Sequence, residues 1–285
     1  MARPSRINLK NTCQLIKVSG RSSVTFLKTG KQKLEFLTLL GELIFRFNWQ
    51  CFGFCLLDNS YQLLITINEA NLSQGMRELN GLTTQKYNQQ TGHQGAVLNG
   101  RYHSYIINPN NIEVLKSIHL SLATRPVAEK IIANPLDWKW SHISATLGKN
   151  WIPKWLNVNQ VKSLFNLYDG EQKSLFVDEL LRTKKKKLVK IASQQFMCDR
   201  AYREQILKRN SVQMAKNKHN LQQKSLQIRS LMDELNQQGL KRNEAILKIY
   251  QKNRFSMKEI GDYINLNYST ISRIISKQKL LEFNP

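Results

Sequence analysis

Ser60 and Gln62 stand two residues apart in CLLDNSYQLLITI, residues 55–67. A stretch that alternates this way reads as a strand, and its period of two puts both side chains on one face. A hydroxyl and a neutral amide are weak oxygen ligands with no imidazole nitrogen to tune, so the pair is a poor metal site. Serine attacks phosphorus only when a base or a metal lowers its pKa, and neither stands out nearby. His119 is the only histidine on its amphipathic helix, where a lone histidine is expected to be structural. Asp58 and Glu113 could lend oxygens to magnesium, but a turn and a helix start explain them as well. Cys51 and Cys55 are spaced C-x3-C in an apolar strand with no second cysteine pair, which points to buried packing rather than zinc.

A second chemistry is legible in FSMKEIGDYINLNYSTISRIISKQ, residues 255–278. Ser256 can cap a helix through Ile264, Asn265 suits a left-handed turn, and Tyr268 to Lys277 form a second helix. Gly261 is small where the two helices cross, and Ile260, Leu266, Ile271 and Ile274 supply the buried contacts. This is the pattern of a helix-turn-helix, whose second helix lays its first residues against base edges in the major groove. Asn267, Tyr268, Ser269, Thr270, Ser272 and Arg273 would then face DNA, the hydroxyls toward phosphates and Arg273 toward guanine.

The rest of the chain must position these groups. Residues 12–19 read as a strand and 31–47 as a helix with Phe36, Leu37, Leu40, Leu43, Ile44 and Phe47 in one stripe. Two strands follow, joined at Asp58-Asn59-Ser60, then a helix capped by Asn71 with Leu72, Met76 and Leu79 inward. GAVLNGRYHSYIIN reads as another strand and 111–124 as a helix. Strand, helix, two strands, helix, strand is the order of a ferredoxin-like α+β sandwich, an antiparallel sheet with helices on one face. After Gly148 the chain turns helical, and RTKKKK at 182–187 opens a basic polar stretch to about residue 235, a solvated helix face or linker. The expected division is a ferredoxin-like domain at 1–148, a basic helical connection at 149–235 and the helix-turn-helix at 236–285.

Composition narrows the partners. The 285 residues carry a formal charge of +23, with 41% hydrophobic residues to build cores. Residues 182–285 alone hold 23 Lys/Arg against 8 Asp/Glu. Such a surface suits nucleic acid phosphates first, or an anionic membrane. No stretch approaches the roughly 20 apolar residues of a membrane span, and MARPSRINLKN lacks the apolar core of a signal peptide. Four scattered cysteines make no disulfide framework, in keeping with a reducing, cytoplasmic setting and no membrane contact.

Several blocks together resemble one family. MARPSRI, CLLDNSYQLLI, EANLSQGMRELNG, NGRYHS and PVAEKIIANPLDWKWS look like successive segments of the REP-associated tyrosine transposases, bacterial relatives of the single-tyrosine HUH transposases, and a terminal YSTISRII is familiar from longer members. The resemblance runs through nearly the whole chain. It implies a mobile-element enzyme of DNA transposition that cuts single-stranded DNA with a two-histidine divalent-metal site, such as one for magnesium, and a tyrosine nucleophile. The family's NHYHLL stands here as NSYQLL, so Ser60 and Gln62 take the histidine positions. Its RYIHLNPV block stands as KSIHLSLATRPV, which can be matched two ways: Ser117 and Ser121, or Ser121 and Arg125, at the tyrosine and asparagine positions. No tyrosine occurs from residue 106 to 167.

The resemblance so amended implies a DNA-binding protein on a transposase scaffold, with no catalytic residue and no cofactor. It would grip a single strand or hairpin through Arg77 and Arg101, with Lys86, Tyr102 and His103 beside them, and duplex through the helix-turn-helix. A bacterial, nucleoid-associated location goes with it. A homodimer and a partnership with an intact transposase both stay open, and the alternative is an active transposase or single-strand endonuclease with altered ligands.

Overall fold

The computed structural model describes residues 6–148, 151–183, 195–252 and 254–283. They form two compact units, Met1–Leu207 and Lys208–Pro285. In unit 1, β1 (Thr12–Ser19), α1 (Gly30–Arg46), β2 (Trp49–Leu57), β3 (Ser60–Ile67), α2 (Leu72–Thr91) and β4 (His103–Ile107) follow in the expected order. The sheet runs β2-β3-β1-β4 with every neighbour antiparallel, and a two-residue strand far along the chain, β5 (Phe196–Met197), joins β4 in parallel. This is the ferredoxin-like α+β sandwich.

Local chemistry explains the boundaries. Thr29 and Gln32 form a capping box at the start of α1, and Asn48 at φ 52° turns the chain into β2. Asn71 holds the N-cap place of α2 but spends its side chain elsewhere: Oδ1 accepts from Trp49 Nε1 at 2.8 Å and Nδ2 donates to the Phe47 carbonyl at 2.9 Å. The strand expected from Gly95 begins only at His103, because Gly95 (φ 103°) and Gly100 (φ 69°) leave the extended region.

Helices α1 and α2 bury Phe36, Leu40, Leu43, Leu72, Met76 and Leu79 against one sheet face, together with Tyr61, Leu63 and Ile65 of β3. Alternation alone did not show that the other face is covered as well. There α3 (Ile112–Ala128) lays Leu115, Ile118 and Leu122 over Cys13, Leu15, Cys55 and Leu64. The cause is in the strands, which are apolar on both sides. Asn111 caps α3 by accepting from the Val114 amide at 3.0 Å. Behind α3, α4 (His142–Thr146), α5 (Val158–Phe165) and α6 (Gly170–Thr183) share a core built on Leu120, Ala123, Ile143, Val161 and Phe165.

Most of the basic run at 182–187, like the start of MARPSRI, lies outside the described residues. The polar stretch beyond it is helical, α7 (Arg200–Gln237). In unit 2 the end of α7 packs Ile228, Met232 and Leu235 against α8 (Arg242–Gln251), α9 (Met257–Ile264) and α10 (Tyr268–Phe283). Among the described residues no helix is long and apolar enough to cross a membrane.

Candidate nucleic-acid interface

Ser60, half-buried, and Gln62, buried, share the face of β3 that looks toward α3. Register sets a row across four strands: Cys55 lies opposite Gln62, Gln62 opposite Lys17, and Lys17 opposite His103. Directly paired residues point to the same side of a sheet, so these four side chains form one line.

Ser117 and Ser121 lie half-buried on α3, and the α3 side chain that reaches the strand pair is Arg125. With the Gln62 amide turned to present its oxygen, that oxygen accepts from Arg125 Nε at 3.2 Å and from Nη1 as well. Arg125 Nη2 donates to Glu129 at 3.0 Å. A divalent ion at Gln62 would meet a fixed positive charge.

Of the carboxylates and thiols considered as ligands, Asp58 and the strand cysteines are otherwise engaged. Asp58 pairs with Lys33 at 2.7 Å, and this buried lysine also donates to the Lys28 carbonyl at 3.3 Å, with the Trp138 and Trp140 rings 5.6 and 5.8 Å away. Asp58→Ala is expected to destabilise unit 1 by about 2 kcal/mol in urea unfolding, short of the full cost of a broken buried pair because Asp58 is half-exposed. Glu113 is exposed in the first turn of α3. A register shift between Cys51 and Gly53 puts Cys51 in the core under α1 and Cys55 in the core under α3, so the two thiols face opposite sides. Burial pushes the thiols of Cys13, Cys51 and Cys55 up to about 12.

No tyrosine faces the pair from β3. Tyr61 points to the α1–α2 side and bonds Asn80 at 2.5 Å. Tyr102, expected as a stacking group, is 7% exposed and packs in that same core under the Arg6 guanidinium. His119 is not alone. Its Nδ1 lies 3.0 Å from His142 Nε2, and His142 Nδ1 lies 3.1 Å from the Phe54 carbonyl. A carbonyl only accepts, so His142 carries its proton on Nδ1 and receives one from His119 on Nε2. Burial holds His119 well below the ordinary imidazole range and His142 at about 4, with the neighbouring ring adding to the shift of His119. His119 also lines a cavity of about 300 Å³ with Thr66, Gln160 and Ser163 on its polar side and, among the described residues, no charged group in its wall.

Arg77 and Lys86 are exposed on α2, and Arg101 and His103 are exposed at the start of β4. Sequence reasoning missed Lys17 and His142 as members of polar clusters and had Arg125 only as a matching option. The available signal was a lysine between Ile16 and Val18 in a largely buried strand and a histidine at the start of the short helix HISAT.

In unit 2, Ser256 and Glu259 form a reciprocal capping box at the start of α9, and Lys224 pairs with Glu259 at 2.5 Å. That lysine and the Ser256 amide hold the Glu259 carboxyl below its usual range. Asn265 adopts the left-handed conformation at φ 55°, and three residues, Asn265 to Asn267, separate α9 from α10. A Cβ at Gly261 would lie 2.5 Å from the Leu266 carbonyl oxygen, so only glycine fits the crossing. Asn267, Tyr268, Ser269 and Arg273 are exposed, Thr270 and Ser272 half-buried. Ile260 and Ile271 are buried as expected, while Ile275 is fully buried where Ile274 is only partly so.

No protein-family model matches the chain, and no curated protein does. Among solved structures, that of a REP-associated tyrosine transposase bound to a REP hairpin is similar at TM-score 0.45 and 15% identity, covering 54% of this chain and 89% of that one. This is a distant likeness.

Proposed function

We propose that the chain is a DNA-binding protein on a transposase-like scaffold that has exchanged cleavage for binding. The observation that carries the reading is the α9–α10 pair: a capped first helix, a three-residue turn with a left-handed asparagine, and an exposed first turn of α10 bearing Asn267, Tyr268, Ser269 and Arg273. That geometry suits the major groove, and the +23 charge supplies the phosphate contacts. On this reading residues 1–148 grip a single strand or hairpin, with Arg77 and Arg101 at phosphates, 149–235 connect, and 236–285 read duplex. The Gln62–Arg125 contact supports a non-catalytic protein, because a guanidinium stands where a metal-bound strand pair would need an empty place.

Affinity for duplex and for a hairpin is expected to fall about 10³-fold between 50 and 200 mM salt, the drop for roughly six neutralised phosphates. Fluorescence anisotropy measures it. A curve flat across that range would reject DNA binding. A labelled hairpin incubated with magnesium and with manganese is expected to stay intact. Cleavage with a covalent protein–DNA adduct would instead restore the active-transposase alternative.

A further inference from the structure

Lys17 is half-buried on β1 in the row Gln62–Lys17–His103, and its ammonium lies 5.3 Å from the Tyr105 ring centroid. Among the described residues no carboxylate lies within 4 Å of it, whereas Lys33, the buried lysine of unit 1, has Asp58. The charged group that acts on it is another cation, Arg125. Burial first, and then that guanidinium, lower the pKa of Lys17, so the site as it stands disfavours the charge it carries. The one carboxylate on Arg125 is Glu129, a half-exposed i,i+4 partner of the kind that contributes little. Gln62 completes the arrangement. Its amide oxygen fixes the guanidinium in place without cancelling the charge, which a carboxylate at the same position would do.

Lys17 is paired in register with Gln62, Gln62 contacts Arg125, and the exposed His103 ends the row, so two cations flank one neutral acceptor. We infer that Lys17 and Arg125 form a metal-independent phosphate site that takes a backbone phosphodiester of bound single-stranded or hairpin DNA, with Gln62 as the positioning residue. This rests on the DNA-binding reading above. The guanidinium fork and the ammonium both suit phosphate oxygens, and a phosphate between them would offset the repulsion of the two cations. The cavity beside His119, with no charged group in its wall among the described residues, is a poorer place for an anion.

The test is hairpin binding by the full chain, measured by anisotropy in EDTA and in magnesium, for wild type, Lys17→Gln, Arg125→Lys and Gln62→Glu. Wild-type affinity is expected to be equal in the two buffers. Lys17→Gln should weaken hairpin binding about tenfold at 50 mM salt and reduce the salt slope by about 1. Gln62→Glu, the same size but charged, should weaken it similarly while the thermal melt holds or rises. Arg125→Lys, which keeps the charge and loses the fork, should fall between. Duplex affinity should not change in any of them. Wild-type binding with unaltered variants, or a requirement for magnesium, would overturn the phosphate site alone. If wild type binds no DNA, the DNA-binding reading falls and takes this site with it. Inorganic phosphate raising the melt of wild type but not of Lys17→Gln, with hairpin affinity unaltered in the variants, would overturn the assignment to DNA.

Discussion

Acidifying the full chain from pH 6.5 to pH 4 is expected to remove about 3 kcal/mol from the stability of unit 1 through His142 alone, with His119 adding to the loss. The unfolded imidazole takes a proton near pH 6.5, whereas the folded His142 resists until about 4. Its folded pKa is depressed, so the unfolded state binds more protons through this window and stability falls as pH falls. It is fully present above pH 6.5. Each histidine contributes a slope of about 1.4 kcal/mol per pH unit while only the unfolded form is protonated. Structure explains why the folded rings resist: both are fully buried, the Phe54 carbonyl and His119 already fill His142, and a second proton between them has no acceptor. All five tryptophans lie in unit 1, so urea unfolding followed by tryptophan fluorescence reports that unit. The informative interval is pH 6.5 to 5, above the range where carboxylates protonate. Stability flat across it would show that the pair is not held neutral.

The local signals in the sequence carried most of the architecture. Period-two and period-3.6 patterns placed β1, α1, the β2–β3 hairpin and α2, and cap chemistry placed α9 within a residue, because the Ser256 box and the left-handed Asn265 act over a few residues. What escaped were contacts between segments far apart in the chain. Gln62 meets Arg125 across 63 positions, and His119 meets His142 directly while His142 is anchored to a strand that neither belongs to. Ser60 and Gln62 on one face followed from the strand period, yet what opposes them depends on how α3 docks, and no local pattern encodes that. Cys51 and Cys55 show the same limit, since an irregularity in register at Gly53 decides that they face opposite cores.

Gly261→Ala is expected to destabilise the α9–α10 pair by about 2 kcal/mol and weaken duplex binding strongly while hairpin binding by unit 1 persists. The added Cβ would stand 2.5 Å from the Leu266 carbonyl oxygen and 3.3 Å from Ile271 Cγ1. The first atom belongs to the backbone of the turn and cannot swing aside as a side chain could, so the helices must separate. Overpacking of this kind costs about 3 kcal/mol. Helix propensity favours alanine over glycine by about 1 kcal/mol, which offsets only part of it. A unit this small draws on a single core, and such cores supply about 3–5 kcal/mol, so the remaining deficit of about 2 kcal/mol consumes about half of what holds it. Moving Leu266 also displaces the start of α10, because the Asn267 carbonyl accepts from the Thr270 and Ile271 amides at 2.9 and 3.1 Å. The residues expected at base edges therefore lose their frame even in molecules that stay partly helical. Circular dichroism and anisotropy on duplex and hairpin probes check the two halves of the prediction. Duplex affinity unchanged in Gly261→Ala would mean that the α9–α10 crossing is not what reads DNA.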